Sequence, residues 1–355
     1  MTWPFKKHYK SFLGIDVGTS VIKVVELSKH GDQEKLENYV SVPILSPDES
    51  PAKTNQKSSL VLAPREVSDI LNLITKEAKI KASKAFFSIP DFATFFTTFP
   101  LPQMSKEEIE QAIRFEARRH VPLPLSEVTL GWKVIRGKLS NVKKGEIEIL
   151  LVVVPNVVIN QYTSIAEFSQ LELLSLEAEV FGLSRALVKD AEKTIALIDI
   201  GAQSTTCSIV DKNILKVSHS FDTAGNALTE RIIGSLNVDR KTAETLKQNK
   251  GLLKSEKENI KEILVPIIDL VLSEIKKVAD NFYQSQGKEI DSYVFSGGTS
   301  LLPGLKEYSI RFLKKDIELA QPFSKMAYSP ILEDNLKQAG PIFAIAVGMA
   351  LKGLE

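Results

Sequence analysis

Two segments of this chain close an apolar run in the same way. Leu13-Gly14-Ile15-Asp16-Val17-Gly18-Thr19-Ser20 is echoed by Leu197-Ile198-Asp199-Ile200-Gly201-Ala202-Gln203-Ser204. Each is a buried-type strand ended by Asp-x-Gly and then by small hydroxyl or amide residues. Apolar segments resume after both turns, at Val21–Leu27 and Cys207–Val210, so each turn reads as a hairpin tip. A lone Asp-x-Gly is an ordinary way to end a strand. Two of them in matching contexts predict two facing halves, each offering a carboxylate and a flexible loop to one ligand. Gly18 and Gly201 let the backbone turn tightly and approach phosphate oxygens. Asp16 and Asp199 suit Mg²⁺, which keeps several waters and needs few protein carboxylates. A nucleoside triphosphate with its metal fits this chemistry.

At 355 residues the chain has room for two domains of ordinary size. Lys plus Arg is 45 and Asp plus Glu is 44, so no global charge points to nucleic acid. The single cysteine, Cys207, leaves no internal disulfide and no cysteine-cluster metal site. Met1-Thr2-Trp3-Pro4-Phe5-Lys6-Lys7-His8 is not followed by the apolar stretch of a signal peptide. Ile149–Val154 and Ile342–Leu351 are too short to span a bilayer. The expectation is a soluble, cytoplasmic protein.

Strand patterns dominate the start, at Phe12–Val17, Val21–Leu27 and Leu36–Val42, before a surface loop over Ser46–Pro64. Arg65–Ile80 carries Val67, Ile70, Leu71, Ile74 and Ala78 at helical spacing, and Ala85–Ile89 reads as a short strand. A small inserted unit follows. Ala93–Phe99 is an aromatic strand broken by Pro100-Leu101-Pro102, and Ser105-Lys106-Glu107-Glu108 has the form of a capping box. The next helix turns Ile109, Ala112, Ile113 and Ala117 inward and ends before Pro122. Val128–Ile135 and Glu146–Val154 read as two more strands around a turn at Lys138–Gly145. Val157–Phe168 and Glu179–Lys189 are helical, with Leu171–Leu176 between them. The second half repeats a meander at Thr194–Ile200, Thr206–Asp211 and Ile214–Ser220. Helices then run from Asn226 to Gln286, the last over Lys257–Tyr283 with a kink expected at Pro266. Ser292–Ser296 ends in Gly297-Gly298-Thr299, and a small-residue helix over Gly340–Leu351 closes the chain.

With both Asp-x-Gly turns, the Gly-Gly turn and the closing helix in this order, the chain resembles the actin-like ATPase superfamily nearly end to end. The superfamily's phosphate motifs are similar to residues 13–27 and 195–210, its adenosine motif to Tyr293–Leu305, and its connecting helices to Glu179–Leu187 and Pro341–Leu351. The resemblance implies an α/β, actin-like (ribonuclease H-like) two-lobed fold. Residues 1–90, with 157–193 and 332–355, would form the first lobe. Residues 194–331, with a helical part at 226–290, would form the second. The insertion at 91–156 resembles the small α+β subdomain of the FtsA/PilM branch. Gly14–Leu27, Phe87-Ser88-Ile89-Pro90 and Gln111–Pro122 are similar to the PilM family, cytoplasmic proteins of the type IV pilus inner-membrane platform. FtsA carries an amphipathic tail helix, and Lys352-Gly353-Leu354-Glu355 shows none.

The resemblance implies ATP and Mg²⁺ as cofactors, with Asp16 and Asp199 at the metal. It assigns Gly18, Thr19, Ser20 and Lys23 to the phosphates from one side, and Gly201, Gln203, Ser204 and Thr205 from the other. Gly225, Asn226 and Thr229 match the ribose and phosphate-side turn, whose helix N-terminus favours an anion. Glu244 and Lys247 resemble the ribose and adenine contacts, and Gly297, Gly298 and Thr299 the turn along the base. Glu179 stands where the superfamily has its water-activating Gln or Glu, with Glu177 the neighbour to be told apart from it. Ala202 replaces a frequent second glycine and Cys207 lies near a missing carboxylate, which points to binding with at most slow hydrolysis.

The resemblance also implies partners. Arg114, Phe115, Arg118 and Arg119 would line a groove for the amino-terminal peptide of a PilN-like membrane protein, and the adaptor would link it to pilus motor ATPases and the platform protein. The protein would then be peripheral to the inner face of the cytoplasmic membrane through these partners, without nucleic acid. An FtsA-like cytoskeletal ATPase, a small-molecule kinase of the same fold and a purely structural pseudo-ATPase are the alternatives.

Overall fold

The structure is a computed structural model that describes residues 10–44, 62–139, 145–253 and 259–355. Most of the loop expected at 46–64, the middle of the turn at 138–145 and the helix start expected at 257 lie outside the described residues. In chain order the first part contains β1 (Ser11–Val17), β2 (Val21–His30), β3 (Gln33–Pro43), α1 (Pro64–Glu77) and β4 (Lys84–Ile89). Next come β5 (Phe95–Pro102), α2 (Lys106–His120), β6 (Val128–Arg136), β7 (Glu146–Pro155), α3 (Asn156–Phe168), β8 (Glu172–Ala178) and α4 (Glu179–Leu187). Then follow β9 (Thr194–Ile200), β10 (Thr205–Asp211), β11 (Ile214–Phe221), α5 (Gly225–Leu236), α6 (Arg240–Lys250) and α7 (Ile260–Gln286). The last part holds β12 (Ser292–Ser296), α8 (Leu305–Leu313), β13 (Ile317–Leu319) and α9 (Glu333–Lys352).

The echo in the sequence is an echo in topology. One sheet has the order β3-β2-β1-β4-β8 and the other β11-β10-β9-β12-β13. In each, three strands form an antiparallel meander and two more add in parallel. Each Asp-x-Gly turn therefore tips a hairpin beside the carboxyl end of a parallel strand, where open α/β sheets receive ligands. A third sheet, β5-β7-β6, is covered by α2 through Ile109, Ile113 and Ala117. The start of α2 is fixed as the capping pattern predicts, with Glu108 accepting from the Ser105 N–H at 3.1 Å.

Helices α4 and α9 pack on each other between the two large sheets. Their apolar residues Val180, Leu183, Leu187, Ala344, Ile345 and Met349 join Leu197, Val210 and Val294 in one core, which binds the second sheet to the first. Small residues make this possible. A Cβ on Gly14 would lie 1.9 Å from the Ala346 carbonyl oxygen, so only glycine lets β1 lie this close to α9.

Two boundaries differ from expectation, both at prolines. β5 runs through Pro100 and Pro102, paired with Glu148 and Glu146 of β7, instead of breaking there. It is an edge strand, and prolines that lack a donor are tolerated at an edge. α9 begins at Glu333 and passes through Pro341, where a start at Gly340 was expected. Pro341 has no N–H for the Lys337 carbonyl, and the Gln321 side-chain amide donates to that oxygen at 3.0 Å in its place. α7 likewise continues through Pro266 as one helix.

Candidate functional site

The two turns border one cavity of about 700 Å³. They match bond for bond. The Gly18 N–H donates to the Val21 carbonyl at 3.2 Å and the Gly201 N–H to the Ser204 carbonyl at 3.0 Å. Behind each turn a serine on the neighbouring parallel strand holds the aspartate. Ser88 of β4 donates to Asp16 at 3.0 Å, and Ser296 of β12 donates to Asp199 at 2.9 Å. Sequence reasoning missed both serines. Their signal was the Phe87-Ser88 and Phe295-Ser296 pairs, each at or one residue before the end of a strand that precedes a proline or glycine turn.

Across the hairpins the halves diverge. Asp16 stands opposite Lys23 and Asp199 opposite Thr206, and directly paired residues share a sheet face. Lys23 Nζ lies 2.8 Å from Asp16 Oδ2. Thr206 turns to Ser220 instead, at 2.8 Å. Cys207 is wholly buried in the core of the second lobe, its thiol pushed up to about 12 by burial. The residue facing Asp199 across the hairpin is thus Thr206 and not Cys207.

Asp16, Asp199 and Glu179 line this end of the cavity near the Lys23 ammonium, and Asp91 is buried next to Glu179. Burial lifts the Asp199 carboxyl above its usual range and Asp16 adds to that, while Lys23 and Ser296 pull it back. Glu179 is raised well above the ordinary carboxylate range, first by burial and then by Asp91, Asp16 and Asp199. Asp91 is raised to about 8, chiefly by burial. Burial works against the charge on Lys23, yet Asp16, Asp199 and Glu179 together hold its ammonium above the ordinary lysine value. Such an excess of mutually repelling carboxyls is what an added cation relieves. Among the described residues no three acidic, histidine or cysteine side chains close around a metal. Mg²⁺ held by two carboxylates and substrate phosphates needs no such cage, so the donor set fits it.

Glu179 and Glu177 are told apart by their partners. Glu179 lines the cavity and accepts from the Asp91 N–H at 3.0 Å. Glu177 pairs with Arg185 at 2.8 Å, and Arg185 also donates to the Gly348 carbonyl and pairs with Glu355. It is a brace of the helix crossing.

Gly18, Thr19, Ser20, Lys23, Gly201, Gln203, Ser204, Gly225, Asn226, Glu244, Lys247, Gly297, Gly298 and Thr299 all line the cavity with Asp16 and Asp199. Two residues do not. Thr205 is buried in β10 and donates to the Thr223 carbonyl at 2.7 Å. Thr229 is buried behind Glu244 and Lys247, donating to Glu244 at 2.5 Å and accepting from Lys247 at 2.7 Å. The hydroxyl of each is hydrogen-bonded within the fold. Lys247 also donates to the Gly225 carbonyl at 3.1 Å, which ties α6 to the start of α5.

The far turn is built for backbone approach. Gly297 has φ +83°, and a Cβ there would meet the Ile200 carbonyl oxygen at 2.4 Å. Its N–H donates to the Pro341 carbonyl at 2.9 Å, joining this turn to α9. On the opposite side the cavity extends past Pro90, Phe92, Ala93, Val158, Gln161 and Tyr162, which the sequence did not single out. Gln161 Oε1 and the Tyr162 hydroxyl have no hydrogen-bond partner among the described residues.

Two sheets of one topology, a pair of packed connecting helices and a cavity between paired Asp-x-Gly turns define the actin-like ATPase fold. Comparison with known proteins narrows this. The model of the family described as type IV pilus assembly protein PilM matches residues 14–354. The chain belongs to the PilM family.

A solved PilM–PilN type IV pilus biogenesis complex is similar in structure, with 22% identity, a TM-score of 0.85 and coverage of 99% of this chain and 100% of that one. MreB 5 of Spiroplasma citri bound to AMPPNP shares the fold at 13% identity and a TM-score of 0.53, covering 98% and 96% of the two chains. The cell division protein FtsA of Enterococcus faecalis is 24% identical over 198 residues, which is 47% of this chain and 43% of that protein. This chain therefore matches less than half the length of that relative. Among the described residues no helix is long and apolar enough to cross a membrane.

Proposed function

We propose that this chain is an ATP-binding adaptor of type IV pilus assembly. ATP with Mg²⁺ would lie between the two turns, its phosphates against Gly18, Thr19, Ser20, Gly201, Gln203 and Ser204. Its base would lie along Gly297 and Gly298, with Glu244 and Lys247 at the ribose. Asp16 and Asp199 would hold Mg²⁺, which draws charge from the phosphates when bound. The observation that carries this reading is the paired geometry of the turns, each with a serine-held aspartate at the same cavity. The superfamily's carboxylate is not restored by Cys207, which is buried in the core, and this supports slow turnover at most.

The adaptor would hold the amino-terminal peptide of a PilN-like membrane protein at the inner face of the cytoplasmic membrane and link it to the pilus motor and platform protein. Support comes from membership of the PilM family and the likeness to the PilM–PilN complex. The inserted unit over 91–156 offers a surface of suitable chemistry. Arg114, Phe115, Arg118 and Arg119 are exposed on α2, and the Arg119 guanidinium lies 5.6 Å from the Phe115 ring centre. An extended peptide held in a groove or on a sheet edge is a common mode of recognition.

Calorimetry with ATP tests the nucleotide half. Saturable binding that needs Mg²⁺ and is lost in Asp16→Asn is expected, and an absence of binding by the intact chain overturns it.

A further inference from the structure

Asp91 is not used by the proposed nucleotide site, yet it is buried and its Oδ2 has no hydrogen-bond partner among the described residues. It stands at a junction of three parts. It follows Pro90 at the exit of β4, opens the turn Asp91–Ala93 that leads into β5, and packs with that turn against β11 of the second sheet.

Its bonds run both ways. The Asp91 N–H donates to Glu179 Oε2 at 3.0 Å, and the Val180 N–H donates to Asp91 Oδ1 at 3.3 Å. The second bond caps α4 from outside the helix. Ala178 occupies the cap position and has no side-chain acceptor, so the free N–H of the first turn is met by Asp91. One residue thus fixes the side chain of the cavity-lining carboxyl and the start of the helix that carries it.

We propose that Asp91 is a positioning residue that couples the phosphate end of the cavity to the β5–β7–β6 unit. A shift of Glu179 or of the first turn of α4 moves the Asp91–Ala93 turn, and β5 begins two residues later. The coupling rests on the nucleotide reading above, since it is ATP·Mg²⁺ that would displace Glu179. It needs no hydrolysis.

Hydrogen exchange on the full chain, with and without ATP·Mg²⁺, tests it in the wild type, Asp91→Ala and Asp91→Asn. In the wild type, nucleotide is expected to slow exchange at the Gly18 and Gly201 turns, in the first turn of α4 and in β5. Asp91→Ala removes the carboxyl that caps α4 and keeps the N–H that meets Glu179, and it is expected to keep the protection of both turns and weaken that of β5. Asp91→Asn, which keeps an acceptor for Val180, is expected to retain it. Should Asp91→Ala not fold, Asp91→Ser, whose oxygen is one bond shorter, takes its place with the same expectation. A merely structural role would lower the melting temperature and leave the nucleotide-dependent change in β5 intact, and that result overturns the coupling alone. So does a wild type protected at both turns but not in β5. No protection at either turn overturns the nucleotide reading and the coupling together.

Discussion

Gly348 of α9 and Gly182 of α4 meet backbone to backbone: a Cβ on Gly348 would lie 1.9 Å from the Gly182 carbonyl oxygen. This crossing joins the connecting helices, and with them the two sheets that border the cavity. Gly348→Ala must push the helices apart in a core that is otherwise filled. Overpacking of this kind costs about 1–3 kcal/mol, and a backbone clash belongs at the upper end. A urea titration is expected to show that loss together with weaker ATP binding. An unchanged midpoint would mean that the helices part without strain.

The Lys23 ammonium is set directly against Asp16, whose side chain is 2% exposed. Lys23→Met leaves that carboxylate buried without its partner. Breaking a buried pair from one side costs on the order of 3 kcal/mol. The expected outcome is a loss of this size in the nucleotide-free chain, partly recovered in Lys23→Met/Asp16→Asn. A double variant as unstable as the single one would show that the pair contributes little.

The echo of Asp16 and Asp199 was readable because both the strand pattern and the turn chemistry are local. The same holds for the meanders, the capping box of α2 and most cavity-lining glycines. The prolines misled because Pro100, Pro102 and Pro341 are tolerated for reasons outside their own segments: an edge position and the Gln321 amide. That Thr205 and Thr229 lie outside the cavity lining was not legible, because a hydroxyl next to a glycine turn looks the same whether it faces a cavity or the fold. Tyr162 at the cavity, and Ser88 and Asp91 behind the lining carboxyls Asp16 and Glu179, were missed because they meet the site from segments far from the Asp-x-Gly turns in sequence.

The acid cluster makes stability depend on pH. Asp91 is raised from 3.8 to about 8, chiefly by burial. Between those values the folded chain binds a proton that the unfolded chain has released, so this contribution to stability falls as pH rises. Glu179 and Asp199, raised by burial and by their carboxylate neighbours, act in the same direction. Asp91→Asn is expected to gain stability relative to the wild type as pH is taken from about 5 to about 8, measured by urea midpoints. A gain that shrinks over this range would contradict the shift.

Glu179 faces the cavity while Glu177 braces Arg185. Glu179→Gln is expected to retain ATP affinity and lose any slow hydrolysis. Glu177→Gln is expected to leave hydrolysis unchanged and lower the melting temperature. Single-turnover assays separate the two, and unchanged turnover in Glu179→Gln would remove its assignment as the water-activating group.

The adaptor reading is tested most directly by calorimetric titration of a PilN-like amino-terminal peptide into the intact chain with ATP·Mg²⁺ present. Saturable binding is expected, weakened in Gly297→Ala, whose added Cβ would strike the Ile200 carbonyl and disturb the turn along the base. No binding of the peptide by the nucleotide-loaded wild type would contradict it.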